Sequence, residues 1–475
     1  MRNLTIHKKI IAGLLLTGCT FTSCRKLVEI GPPVNQVGLD QSFESDATAS
    51  SAILGIYNST SLREAMFAMT EMPGLSANEL QNNIASPAFD EFRTNAITIT
   101  NNNIASWLWY NQYYNIAQIN AMMAGIERST TLSTGVKNQL LGETKTWRAF
   151  HLFHLVNYFG DVPLPLTDDP IGNSTLARTP ASQVWARIIT DLKDAVALLS
   201  DTYPSVLRSR VNRQTANALL ARAYLYTKDW KNAEATASLV IGSGIYSLGD
   251  VNTTFVNTSN EIIWQFATLT GVSMFTTNTD NRGGSFAAAT GTVPGVTLTD
   301  TLYNSMEEGD LRKANWVTPA TISGTNYKLI SKYKIRVLPS GTTTGNEYNV
   351  VLRLAEQYLI RAEARAEQDN LAGAIADADS IRRRAGLPML DNNLSRPNVL
   401  LAIENERKAE LFGEWGHRWF DLKRKPSTVS PADKTRADDV VGAMRPATWN
   451  STDILYPIPD AQRVANPALT QNLGY

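Results

Sequence analysis

Between residues 46 and 235 apolar side chains recur at spacings of three and four, the stripe that amphipathic helices lay against a core. "ATASSAILGIYNSTS" (47–61) predicts one such helix and "IASWLWYNQYYNIAQINAMMAGIER" (104–128) a longer one. "VKNQLLGETKTWRAFHLFHLVNYF" (136–159) predicts another, stopped by Gly160 and Pro163. "PASQVWARIITDLKDAVALLS" (180–200) follows Thr179, a good N-cap, with Pro180 at the first helical position. One arrangement occurs twice. Ala221 and Ala233 stand 12 apart around "TKDW", and Ala362 and Ala374 stand 12 apart around "QDNL". Two helices joined by a tight turn, with small residues facing across the crossing, is the tetratricopeptide pattern.

Elsewhere the stripe fails. Residues 30–45, "IGPPVNQVGLDQSFES", read as an extended tether. Between 250 and 350 the chain is rich in Gly, Thr, Ser and Asn, which predicts loop with short strands. The ending "LYPIPDAQRVANPALTQNLGY" is punctuated by prolines and reads as an extended tail on the body. The expectation is a mainly α chain of tetratricopeptide-like hairpins with a loop-rich second half. Its predicted segments are an export signal (1–23), a tether (24–45), a helical region (46–250), and a final region (251–475) with an irregular insert and returning helices.

The signal rests on charge and length. Arg2, Lys8 and Lys9 precede the apolar run from Ile10 to Gly18, the layout of a secretory leader. Spanning a bilayer takes about 20 apolar residues, and no later stretch approaches that length. The chain's two cysteines, Cys19 and Cys24, follow the run at once. A bridge between them would close a tiny loop that staples nothing. A lipoprotein signal explains them better: a small residue precedes a cysteine that is acylated and becomes the first residue. "LTGC" (16–19) is the better box locally and "FTSC" (21–24) the alternative. A lipid chain anchors a soluble body to a membrane without spanning it.

Basic and acidic residues balance at 44 each; a signal with three basic and no acidic residues leaves 41 against 44, a net charge of about −3. Nucleic-acid binders show a basic excess, so that class is excluded. A near-neutral body suits a neutral ligand.

Catalytic sets are weak. His151 and His154 lie three apart, without the spacing or the glutamate of a His-Glu-x-x-His zinc helix, and read as packing. Glu410 and Glu414 share a helical face at about the separation of a retaining glycosidase's two carboxyls. Arg407, Lys408, His417, Arg418 and Arg424 surround them in sequence, which lowers carboxylate pKa values and suits an ion network. No serine elbow or nucleotide loop occurs, and no cofactor or metal is expected. The chain reads as a binder. A pyranose offers an apolar face to an aromatic ring and a hydroxyl rim to amides, Arg and carboxylates. Candidates in the stretch 79–109 are Asn82, Asn83, Phe89, Asp90, Arg93 and Trp107. Further along they are Phe275, Asn281, Arg282, Tyr303 and Trp316.

Several segments together resemble the SusD/RagB-like outer-membrane nutrient-binding lipoproteins. These are "RAFHLFHLVNYFGDVPL" (148–164), "ALLARAYLYTKDWKNA" (218–233), "NEIIWQF" (260–266), "GDLRK" (309–313), "VLRLAEQYLIRAEARA" (351–366), "DSIRRRAGL" (379–387) and "ENERKAELFGEWGHRWFDLKR" (404–424), then the ending. The resemblance implies a tetratricopeptide-like body, lipid-anchored and surface-exposed on the outer membrane. It implies a SusC-like TonB-dependent barrel as partner, to which the lipoprotein delivers captured oligosaccharide. It also assigns Trp109, Tyr113, Ile116 and Asn120 to the core and favours Cys24 as acceptor, because "CRKLVEIGPP" matches the family's usual start. Other readings are an α-helical glycosidase and a helical scaffold for peptide or protein. Replacing both cysteines by alanine is expected to release the protein from the membrane fraction, and Cys19→Ala alone is not. Acylation lost in Cys19→Ala but kept in Cys24→Ala would make Cys19 the acceptor.

Overall fold

The computed structural model describes residues 41–58, 60–267, 292–334, 347–429 and 433–475. Cys19, Cys24, Phe275, Asn281 and Arg282 lie outside them. The chain opens with α1 (Asp46–Tyr57), α2 (Thr60–Ser76), β1 (Leu80–Asn82) and α3 (Pro87–Thr94). A π-helical turn, Ile104–Tyr110, runs without a break into α4 (Asn111–Arg128). Next come α5 (Thr134–Phe159), α6 (Pro170–Ser174), α7 (Ala181–Leu198), α8 (Arg213–Tyr226) and α9 (Trp230–Ile241). The long helices α4, α5, α7, α8 and α9 pack each on the next. The predicted cap of α7 slips by one residue: Pro180 is the N-cap, while Thr179 pairs its backbone with Val162.

Helix α5 is the axis of the core. Every residue from Trp147 to Phe159 is buried, so it has neighbours on all sides and no polar face. Several of its polar side chains find partners inside, while Trp147 Nε1, His151 Nε2 and His154 Nε2 have none among the described residues. Arg148 forks onto Asp191 of α7 with two bonds of 2.8 Å and reaches Asn120 at 2.9 Å. His151 Nδ1 lies 2.7 Å from Gln112 Oε1, and His154 Nδ1 lies 2.9 Å from the Phe150 carbonyl. Burial pushes both imidazoles down to about 3, so they are neutral packing groups.

The described parts of the insert hold more regular structure than its composition suggests. β2 (Ile262–Phe266), β3 (Val296–Leu298), α10 (Asp300–Ser305), α11 (Leu311–Trp316), β4 (Val317–Ile322), β5 (Thr325–Ile330) and β6 (Asn349–Arg353) precede the returning helices. These are α12 (Leu354–Glu367), α13 (Leu371–Arg384), α14 (Arg396–Leu411), α15 (His417–Arg424) and the short α16 (Asp460–Ala465). One antiparallel sheet has the order β1-β3-β5-β4; a two-stranded ribbon pairs β2 with β6. The ribbon is buried along both strands and packs its aromatics on α5: Trp147 stacks on Phe266 at 5.2 Å and meets Trp264 edge-on at 4.8 Å.

The two alanine pairs are helical hairpins. Ala221, Ala233, Ala362 and Ala374 have no exposed surface. Each turn uses the same device: a left-handed residue (Lys228, Asp369) and then an N-cap (Asp229, Asn370) that accepts from the backbone of the next helix. α9 also packs against α12, so the array continues across the insert.

A buried ion cluster ties the ribbon to the returning helices. Arg353, at the end of β6, donates to Glu261 and to both oxygens of Glu414 at 2.9 Å each, and also binds Glu410. Arg312 of α11 reaches Glu410 at 2.9 Å, Glu406 at 2.6 Å and both oxygens of Asp310. Arg384 bridges Glu261 and Glu410, and Lys332 holds Glu414 at 2.5 Å. The predicted network is therefore present, with different cations. Arg407 and Arg424 bind Asp421, Arg424 also takes Glu363, and Arg418 approaches Glu404.

Ala362→Leu is expected to overpack its crossing and cost about 1–3 kcal/mol; an unchanged thermal melt would count against a close hairpin. Glu410→Gln leaves Arg353 and Arg384 short of a buried counter-charge, and breaking such a pair costs about 3–5 kcal/mol. Burial alone would push the Glu410 and Glu414 carboxyls up, but the guanidiniums of Arg384 and Arg353 and the Lys332 ammonium outweigh it and hold both low. Their contribution is complete above the ordinary carboxylate value of 4.5 and is lost as pH falls through the folded-state values. Acid denaturation profiles of wild type and Glu410→Gln are expected to converge at low pH.

Candidate binding surface

The first group of sequence candidates gathers at one corner, on more regular structure than expected. Phe89, Asp90 and Arg93 sit on α3. Asn82 donates to the Ile84 carbonyl at 2.9 Å and to Asp90 at 3.3 Å, and Asp90 pairs with Arg93 at 2.8 Å. Asn83 donates to the Pro294 carbonyl and to Thr297 Oγ1, fastening β1 to β3. Both asparagines are thus engaged in holding the corner together. Phe89 is half-buried against the core. Tyr303 is half-buried too, with the Lys313 and Lys328 ammoniums 4.6 and 4.9 Å from its ring centre.

Trp316 corrects the reading of it as a surface ring. It is fully buried: its Nε1 donates to the Val251 carbonyl at 2.8 Å, and Lys332 lies 4.6 Å from the ring. The chain around it looks irregular in sequence, but it ends α11 directly over the ion cluster, where the indole shields buried charge from water. The residues assigned to the core belong there. Trp109, Ile116 and Asn120 are buried, and the Tyr113 hydroxyl donates to the Pro163 carbonyl at 2.9 Å.

Trp107 is half-buried and meets Phe67 edge-on at 5.1 Å. It lies in the π-helical turn, a rare geometry that recurs at functional sites. That turn leads into two rings that sequence reasoning missed. Tyr110 and Tyr114 are 55% and 43% exposed and stack on each other, centroids 6.1 Å apart at 28°. They are the only exposed aromatic side chains among the described residues. The signal was present as i, i+4 spacing, but "WLWYNQYYN" is so rich in rings that sequence alone cannot separate wet faces from buried ones.

At the α3 corner two hollows of about 360 and 170 Å³ share Asn78 and Met444. The larger adds Leu80, Gln81, Arg93, Thr94, Thr299, Arg445 and Thr448. Of the sequence candidates only Arg93 reaches it. Its other walls come from near residue 299 and from 444–448, and nothing local in the sequence announces that meeting. The smaller is lined by Glu79, Thr301, Ser305, Lys408 and Arg418 among others. The Glu410–Glu414 pair opens on neither hollow; both carboxylates are buried and bound to cations.

The pattern of folds and segments has close parallels. A family described as starch-binding and associating with the outer membrane matches residues 39–225, and the SusD family matches residues 226–475. SusD-like protein P25 of Formosa agariphila is 24% identical over 428 residues, 77% of this chain and 79% of that one. SusD-like protein P2 of the same organism is 26% identical over 397 residues, 70% and 74% of the two chains. A SusD superfamily protein from Bacteroides vulgatus has the same fold, with a TM-score of 0.76 at 20% identity over 91% of this chain and 100% of that one. A laminarin-binding SusD-like protein superposes with a TM-score of 0.70 at 21% identity, over 91% and 100%. With more than half its length matched, the chain belongs to the SusD family.

Proposed function

We propose that this protein is a lipid-anchored outer-membrane receptor that captures oligosaccharide and passes it to a SusC-like TonB-dependent barrel. The observation that carries the capture step is the stacked pair Tyr110 and Tyr114, continued by half-buried Trp107. Leaving two rings half in water forgoes burial that the other described aromatics obtain in full or in larger part. Sugar C–H faces offer such rings an apolar partner while the phenol hydroxyls stay available to the sugar's rim. The starch-binding description of the family matching residues 39–225 and the laminarin-binding relative support the same ligand class. A glycosidase reading has no observation in its favour. Glu410 and Glu414 do not share a helical face, since α14 ends at Leu411 and Glu414 lies in the turn beyond it. Both are buried and held low by cations, so neither is placed to give a proton to a leaving group.

Titration calorimetry with laminari- and malto-oligosaccharides tests the reading. Removing an aromatic anchor typically costs 2 kcal/mol or more, so Tyr110→Ala/Tyr114→Ala is expected to weaken binding about thirtyfold. The melting temperature should barely change, because neither ring supports the core. Trp107→Ala is expected to lower both affinity and melting temperature, since it also loses Phe67. Undiminished affinity in the tyrosine double variant would remove the stripe from the binding surface.

A further inference from the structure

Net charge hides a local imbalance at the paired hollows. Four cations line them: Arg93 and Arg445 in the larger, Lys408 and Arg418 in the smaller. Arg93 is offset by Asp90, and Arg418 stands 3.5 Å from Glu404, which also serves Arg436. The other two have no carboxylate within ion-pairing distance among the described residues. Arg445 is half-buried and gives its protons to the carbonyls of Leu75 and Ser76 and to the amide oxygens of Asn95 and Asn78. Among the described residues Lys408 hydrogen-bonds the amide oxygen of Asn405, at 3.2 Å, and feels Glu404 only from beyond ion-pairing distance. Desolvation, with Arg93 nearby, pushes Arg445 down to about 10; desolvation, with Arg418 nearby, pushes Lys408 down to about 8. The one acid on the walls, Glu79, is buried, accepts from the Gly413 N–H at 2.8 Å and is pushed up to about 7 by burial, so at neutral pH it offsets only part of one positive charge. Between the cations stand neutral hydrogen-bonding groups: Gln81, Thr94, Thr299 and Thr448 in one hollow, Thr301 and Ser305 in the other.

Arg312, Arg353 and Arg384 meet carboxylates in the interior. Lys423 and Arg208, whose hydrogen-bond partners are carbonyls, line neither hollow. A partly buried ammonium and guanidinium left facing a polar hollow invite an anion. We infer that this double hollow binds an acidic saccharide, one that carries carboxylate or sulfate groups on a hydroxyl-rich ring. The inference rests on the glycan reading above and narrows its substrate class. The hydroxyl and amide side chains take the sugar's rim, and Lys408 and Arg445 supply the counter-charge that the protein does not.

Affinity electrophoresis in gels containing laminarin, starch or dextran, each neutral, sulfated or carboxymethylated, provides the test. Wild type is expected to be retarded at least tenfold more strongly by an acidic form than by its neutral parent, with the excess lost as salt screens the charges. Comparing sulfated with carboxymethylated gels tells which anion it prefers. Lys408→Gln/Arg418→Gln is expected to cut the excess severalfold without reducing retention by the neutral polymer. Arg93→Gln, at the exposed far end, should reduce it in a protein whose folding is not in question. Equal retention by neutral and acidic forms, or an excess that survives these variants, overturns the inference and leaves glycan capture standing. No retention by any of the polymers overturns both.

Discussion

Charge taken out of water must find charge, and this fold is organised around that constraint. Moving a carboxylate or guanidinium into the interior costs several kcal/mol unless opposite charge and hydrogen bonds replace its hydration. Arg353 meets the requirement with Glu261, Glu410 and Glu414; Arg312 and Arg384 complete the set. These residues come from the end of β6, the residue before β2, α11, the last turn of α13, the end of α14 and the turn after it. The cluster is satisfied only when all of them are in register. That ties the described strands of the insert to the body: the ribbon sets Glu261 beside Arg353, and the Leu354 N–H to Glu261 carbonyl bond of 2.9 Å locks the pair.

The same constraint separates frame from binding surface. Acidic groups that resemble a catalytic pair are saturated with cations inside the protein, under the indole of Trp316. The surface holds what the frame leaves over: two stacked tyrosines half in water, and Lys408 and Arg445 with neutral oxygens but no carboxylate in ion-pairing distance among the described residues. An unsatisfied apolar face and an unsatisfied positive hollow are complementary to the two sides of a charged sugar. Both lie on structure attached to α2, whose Phe67 supports Trp107 and whose terminal carbonyls hold Arg445.

Much of this was legible in the sequence because it is local. Helical stripes marked α1, α4, α5 and α7, and alanines 12 apart marked both hairpins down to their turns. The structural role of Glu410 and Glu414 could be read from surrounding charge, but the partners could not: Arg407, Lys408 and Arg424 are near in sequence, yet Arg312, Arg353 and Lys332 arrive from other elements. Trp316 was misplaced for the same reason, its concealment depending on charges brought together from afar. The hollow by α3 joins residues near 80, 300 and 445, and periodicity carries no information about such meetings. The exposed tyrosines were obscured by abundance, since rings at 107, 109, 110, 113 and 114 share one stretch and only the packed helix sorts them.

The central claim is that the protein binds glycan with surface groups that its buried charge frame leaves free. A crystal structure of the protein with the tightest-binding member of a panel of neutral and acidic oligosaccharides tests it most directly. The account predicts an intact sugar packed on Tyr110 or Tyr114, or seated in the hollow between Arg445 and Lys408, with the cluster around Glu410 unchanged. A sugar lodged against Glu410 and Glu414, or recovered cleaved, would contradict it.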